Sequence, residues 1–338
     1  MNGTEGHNHR HWTDDARGVY EVWYLTWNHP STDQGFWLRY ITETPVTGEP
    51  RAELWFARFD PRRPDRTFAI HKHIPASELA SGTQPFTLSI AGSVLGHDHA
   101  HGTLAGGGHD VAWDLRWDPS ARLLRQLPSV MYARGGLGET TVQTPNPRVA
   151  MSGSLVVDGE TLTFERATLG QTHLWGKKHA YSWTWGRCAE FAGAPDGLLE
   201  ILGVRLQRRG LMLPPMFLLS LDLDGEQHRM NQYRHVLRNR ATWTGQQVTF
   251  QAQSAFVKIE GELVCAPGDM VAAPYVDPDG QDLWCMNTMI GDARLTVFRR
   301  SGLRWREHRQ LEGKRRAHFE LGGRVRDPAV TREHILVR

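Results

Sequence analysis

An antiparallel all-β chain folded as two barrels or sandwiches is the architecture this sequence predicts, and three observations lead to it. Segments of alternating apolar and polar residues follow one another along most of the 338 residues, and side chains of a strand alternate between faces with a period of two. Turn sequences separate them, among them Asp158-Gly159, Asp224-Gly225 and Thr244-Gly245, where aspartate and glycine accept the positive φ of tight hairpins. Helical periodicity over ten or more residues is nearly absent, residues 75–80 reading as a single turn. Composition agrees, with 34 glycines, 18 prolines and 13 tryptophans, the texture of many short strands with aromatic interiors. The length is enough for two domains.

Taken in order, residues 1–17 are polar and His-rich and read as a disordered or loosely attached leader. Strands are then expected at 19–27, 35–43, 53–59, 86–90, 93–104, 109–118, 151–157 and 161–166. In 53–59, Leu54 and Phe56 share one face and Trp55, Ala57 and Phe59 the other; in 109–118, Trp113, Leu115 and Trp117 share a face. The second half repeats the pattern at 198–207, 216–223, 227–238, 247–252, 256–264, 282–288, 292–299 and 304–311, with Gly291-Asp292 as a turn. The first domain is placed at residues 18–190 and the second at 191–338, with the junction in the sequence Gly193-Ala194-Pro195-Asp196-Gly197.

The stretch from Gly170 to Cys188 carries the densest chemistry. From His179 onward, His179, Tyr181, Trp183 and Trp185 share one parity, while Ala180, Ser182, Thr184 and Gly186 share the other. Buried Trp and Tyr need partners for their N–H and O–H groups, so such a row is either a demanding core or the wall of a pocket. His173 and His179 are the candidate proton-handling residues, because imidazole titrates near neutrality. Equally, His173 and Trp175 could tie a loop to a barrel through hydrogen bonds. Gly176 fits either reading, as a position for a bulge or a positive φ.

The pattern Gln171-x-His173-x-Trp175-Gly176-x-x-His179-x-x-x-Trp183-x-Trp185-x-x-Cys188 resembles the lipocalin-like superfamily of carotenoid 1,2-hydratases, tocopherol cyclases and AttH-type proteins. Residues 35–40 (GFWLRY), 111–117 (VAWDLRW) and 152–159 (SGSLVVDG) resemble its uncharacterised bacterial branch. The resemblance spans about residues 19–310 and implies two packed lipocalin-like (calycin-type) antiparallel β-barrels with a largely apolar ligand cavity. It implies addition of water or an internal phenol across an isoprenoid double bond, or ring closure of polyketides. An acid on a strand after the His-x-Trp-Gly motif is also implied, and the nearest carboxylates there are Glu190 and Glu200.

The expectation is therefore a cofactor-independent cyclase or hydratase-like enzyme for a hydrophobic isoprenoid or polyketide. His173 and His179 would be catalytic, and Trp175, Tyr181, Trp183, Trp185, Asn231 and Tyr233 would contact substrate. The alternative is a non-catalytic carrier in which the same aromatics supply affinity. Asn231, Tyr233 and His235 share one parity of an expected strand; facing inward they would meet the aromatic row, and facing outward they would be an ordinary polar face. Tyr132, Arg134 and Glu139 are further polar residues near strand ends.

Other classes fit poorly. The formal net charge of +2 with balanced signs argues against nucleic-acid binding. His97, His99 and His101 alternate like zinc ligands, yet no fourth ligand accompanies them and they read as solvated histidines. No phosphate-binding or dinucleotide glycine motif precedes a helix, so no cofactor is expected. Three scattered cysteines without CxxC spacing suggest a reducing, cytoplasmic setting. No apolar run approaches the ~20 residues of a membrane span.

Overall fold

The computed structural model describes residues 3–132 and 139–337. They form two large, almost wholly antiparallel sheets of thirteen and ten strands. In each, the first strand of the half pairs with its last long strand, and hairpin-linked neighbours spread to both sides. Val19–Asn28 lies between Gly35–Thr44 and Glu160–Gly176, as Ser182–Cys188 lies between Leu198–Arg205 and Arg304–Gly323. The two halves thus repeat one topology, and the fold is the expected all-β pair of curled, lipocalin-like sheets.

Each sheet wraps its own apolar interior. Trp23, Trp27, Phe36, Phe56, Trp113 and Leu115 belong to the first, and Leu199, Phe217, Phe250, Ile259 and Phe319 to the second. A third apolar layer lies between the sheets and includes Tyr24, Trp37, Trp55, Trp183, Trp185 and Tyr275. This is why Val19–Asn28 is buried along its entire length. Odd-numbered Trp23, Leu25 and Trp27 face the first interior, whereas even-numbered Tyr20, Val22 and Tyr24 face the other sheet. Polar contacts cross the junction. Asn28 donates through Nδ2 to the Met289 carbonyl at 2.7 Å and meets His318 Nε2 at 2.6 Å. Gly35 lies so close to the Met289 backbone that a β-carbon there would overlap it.

Several sequence expectations need correction. The leader is not loose. Thr4 and Asn8 are buried, and Asn8 bonds His97 at 2.9 Å and Gln171 at 3.2 Å. The Trp23 indole donates to the Asn8 carbonyl at 2.9 Å. A polar segment can be ordered when its hydrogen bonds are satisfied inside the fold, and this one fills the space beside the first barrel's interior. Strand Ser182–Cys188, assigned by sequence to the first barrel, is hydrogen-bonded into the second sheet. The chain changes sheets between Gly176 and Ser182. Residues 335–337 return to pair in parallel with Phe68–Pro75 of the first sheet, so the C-terminus does not stay with the second half. The strand expected at 227–238 ends at Met230 and is followed by a helical turn, Tyr233–Val236. The turn expected at Gly291-Asp292 is instead a register irregularity within the continuous strand Asp282–Ser301. No helix among the described residues is long and apolar enough to cross a membrane.

Candidate active site

A cavity of about 530 Å³ opens between the two sheets, within the size range of small-molecule sites. The first sheet contributes Tyr20, Tyr24, Trp37 and Arg39. The second contributes Trp183, Trp185, Leu202, Leu218 and Glu320, and Tyr275 closes one side. The lining is mainly apolar and aromatic, with a few polar groups whose partners can be traced individually.

His179 sits in the crossing between the sheets. Its Nδ1 lies 2.7 Å from Asp277 Oδ1, and its backbone N–H donates to the same oxygen at 3.1 Å. The Asp277 carboxylate is fully buried, while the imidazole is 17% exposed. Because a carboxylate accepts, Nδ1 carries the proton, and Nε2 has no hydrogen-bond partner among the described residues. The ring is sandwiched by Tyr20, with centroids 4.7 Å apart and planes at 13°, and by Trp183 at 5.0 Å and 28°. Packing on two faces and a held Nδ1 fix the ring's orientation toward the cavity.

The tryptophans satisfy their own N–H groups with carboxylates. Trp183 Nε1 donates to Glu320 Oε1 at 2.9 Å, and Cys285 Sγ lies 3.4 Å from Glu320 Oε2. Trp185 Nε1 donates to Glu200 Oε2 at 3.1 Å, and Glu200 also faces Arg187 at 3.4 Å. Burial pushes the Glu200 carboxyl up to about 7 against the opposing pull of Arg187. Arg39 is boxed by Trp37 and Tyr275, each 4.8 Å from its guanidinium carbon, and by Trp55 at 5.6 Å. It also donates to the Tyr275 hydroxyl, and its Nε is buried without a partner among the described residues. Burial holds the Tyr20, Tyr24 and Tyr275 hydroxyls above the ordinary phenol range, so they stay protonated donors.

The sequence candidates divide between this cavity and other places. His179, Trp183, Trp185 and Tyr233 line it. His173 does not, because it stands on the opposite face of its strand from cavity-lining Leu174. It is 1% exposed, stacks on Trp23 at 4.6 Å, and uses both ring nitrogens, on the His7 carbonyl and Glu21 Oε1, each at 2.7 Å. With no free nitrogen and no access to the cavity, it anchors the N-terminal segment. Trp175 shares that face and stacks on His11 at 4.9 Å. Gly176 has no positive φ; it is needed because a side chain there would meet Thr140 and the Glu139 carbonyl at 2.5–2.6 Å. Tyr181 lies outside the cavity under Arg324, whose guanidinium carbon is 5.8 Å from its ring centre. Asn231 donates to the Arg125 carbonyl at 2.8 Å and borders a separate polar depression with Arg122 and Arg229. Tyr132 is occupied by the Val142 carbonyl at 2.5 Å, Glu139 lies at the cavity rim, and Arg134 is outside the described residues. Glu200 lies behind Trp185, and Glu190 pairs with Arg316 at 2.8 Å. His97 bonds Asn8, whereas His99 bonds Asp98 at 2.6 Å; no cluster of metal-ligating groups occurs among the described residues.

Sequence reasoning missed Arg39, Asp277, Tyr275 and Glu320. A signal for two of them exists. Arg39 interrupts the apolar run Phe36-Trp37-Leu38 and Tyr40-Ile41, and Glu320 stands between Phe319 and Leu321. A charge inside a doubly buried strand must be paired or facing a cavity.

The chain is 28% identical over 288 residues to an uncharacterised protein of Mycobacterium tuberculosis, covering 83% of this chain and 82% of that one. Its fold is similar to that of a putative AttH from Nitrosomonas europaea, with TM-score 0.56 and 14% identity over 93% of this chain and 95% of that chain. It is also similar in fold to CghA, with TM-score 0.54 and 10% identity over 96% and 93% of the two chains. Residues 77–323 match the family described as tocopherol cyclase-like, and the chain belongs to that tocopherol cyclase-like family.

Proposed function

We propose that this protein is a cofactor-independent cyclase or hydratase-like enzyme acting on a hydrophobic isoprenoid or polyketide substrate between its two sheets. The observation that supports this most is His179, whose imidazole lines an aromatic cavity, is held at Nδ1 by buried Asp277 and has no partner at Nε2 among the described residues. Membership of the tocopherol cyclase-like family supports the reaction class.

In the proposed reaction, protonated His179 delivers the Nε2 proton to one carbon of a substrate double bond, with Asp277 balancing the imidazolium charge. Aromatic rings of the cavity lining flank the developing positive charge. Water or an internal hydroxyl forms the new C–O bond to the other carbon and returns its proton to His179, so the enzyme is unchanged. Arg39 and Tyr275 suit an oxygen of the substrate, because one is a permanent cation and the other a protonated hydroxyl. Held there, a carbonyl or phenol would be oriented with its reactive bond near His179.

The test is an assay of binding and turnover together. Wild-type protein is titrated with prenylated quinols, carotenoid precursors and polyene polyketides by tryptophan fluorescence, and bound material is recovered for mass spectrometry. His179→Gln should bind within a factor of about three of wild type and lose rate by about 10²-fold or more, the scale of a lost general acid. If wild type returns every bound molecule unchanged, the protein is a carrier and the enzymatic reading fails.

A further inference from the structure

Three segments border the cavity mouth: the turn Ser129–Tyr132, the hairpin around Gln207–Arg208 and Leu211–Met212, and the helical turn Tyr233–Val236. Thirteen large hydrophobic residues are conspicuously exposed among the described residues. Six of these belong to the three segments or their immediate flanks: Val130, Leu211, Met212, Leu213, Tyr233 and Leu237. Leu211 is 72% exposed and Leu237 87%. Single exposed leucines need no explanation, but a concentration around one opening does.

The charge around these residues is predominantly positive. Residues 205–216 and 228–240 contain seven arginines and no aspartate or glutamate. Arg208 pairs with Glu139 and Arg229 with Asp222, whereas Arg209 and Arg234 pair with no carboxylate among the described residues. A recess that shares Glu139, Lys178 and Arg208 with the cavity lining adds Arg209 and Arg324, whereas Lys178 pairs with Asp279. Exposed leucines set among unpaired arginines match the boundary of an anionic bilayer: apolar side chains enter the acyl region and guanidinium groups meet lipid phosphates.

We infer that this rim docks the protein on the surface of an anionic lipid bilayer, with the cavity mouth against the lipid. The inference rests on the reading that the cavity takes an apolar molecule. Such a molecule partitions into bilayers rather than water, and a mouth seated on lipid lets it enter without crossing the aqueous phase. The contact is peripheral, made by side chains of two short segments and a turn.

Flotation with ligand-free vesicles tests this. The vesicles are phosphatidylcholine alone, or phosphatidylcholine mixed with phosphatidylglycerol. Wild type should float with the mixed vesicles, weakly with phosphatidylcholine alone, and less as salt screens the arginines. Leu211→Asn with Leu237→Asn should lower partitioning by about tenfold or more. Arg209→Gln with Arg234→Gln should remove the preference for phosphatidylglycerol, also by about tenfold. Far-UV circular dichroism and fluorescence titration without vesicles verify that both variants fold and keep the cavity. Wild type that floats with neither vesicle type overturns the proposal, and so does flotation unchanged in both double variants. Protein that binds apolar ligands yet ignores vesicles removes the docking alone; protein that floats yet binds no ligand removes the cavity reading alone.

Discussion

At the scale of single residues, the site depends on charges placed where burial makes them costly. Glu200 is the clearest case, 1% exposed and hydrogen-bonded to the Trp185 indole. Its carboxyl is raised, by burial first, to about 7 in the folded protein, against about 4.3 for an unfolded glutamate. Between these values the folded state binds more protons than the unfolded state, so this group's contribution to stability falls as pH rises through that window. Glu200→Gln removes the titration and imposes a pH-independent cost at Arg187. The stability difference, wild type minus variant, should therefore decrease by about 3 kcal/mol between pH 4 and pH 8. Denaturant unfolding at several pH values measures it; a flat difference would show that Glu200 titrates alike in the folded and unfolded states. Such groups were only partly legible beforehand. Trp183 and Trp185 could be oriented from alternation alone. His173 could not, since the motif containing both histidines is divided between two sheets, and no local pattern reveals that division. Asp277 reaches His179 across 98 positions of sequence, which is tertiary information.

At the scale of elements, most strands were legible because their two-residue alternation and turn glycines act locally. The exceptions have identifiable causes. The segment after Met230 carries an alternating pattern but closes a helical turn, with Gln232 N–H bonded to His235 Nδ1 at 3.2 Å; local capping outcompetes strand pairing there. Strand Arg304–Gly323 runs past its expected end at 311 and brings Glu320 and Gly322 to Trp183. Gly322 is opposite Trp183 in the pairing, and a β-carbon at 322 would overlap the indole ring. Gly322→Ala should therefore displace a rigid aromatic ring rather than a flexible side-chain end. The expected cost is about 1–3 kcal/mol of stability, as for other overpacked sites, with weaker binding of cavity ligands. Thermal unfolding and fluorescence titration of the same preparation would show both; unchanged binding would mean that the Trp183 position is not part of the ligand wall.

At the scale of the whole molecule, two copies of one sheet topology each enclose an apolar interior and then share a third layer. The all-β class and the pairing of two barrels were foreseeable from periodicity and resemblance. The location of the cavity was not, because a barrel suggests a ligand inside it, whereas these interiors are filled by Trp23, Trp113 and Phe319 and their neighbours. The opening lies between the sheets, where the N-terminal half supplies Tyr20 and Arg39 and the C-terminal half supplies Trp183 and Tyr275. The N-terminal segment and the returning C-terminal strand both tie sequence-distant parts together. The central claim is that a hydrophobic ligand binds in this interdomain cavity. It is tested most directly by asking which tryptophan reports on that ligand. Single Trp→Phe variants at positions 183 and 185, and at position 113 in the first interior, are titrated with one bound apolar ligand. The account predicts that most ligand-induced quenching disappears in Trp183→Phe and Trp185→Phe and persists in Trp113→Phe. Quenching lost in Trp113→Phe and retained in the other two would place the ligand inside the first barrel and contradict it.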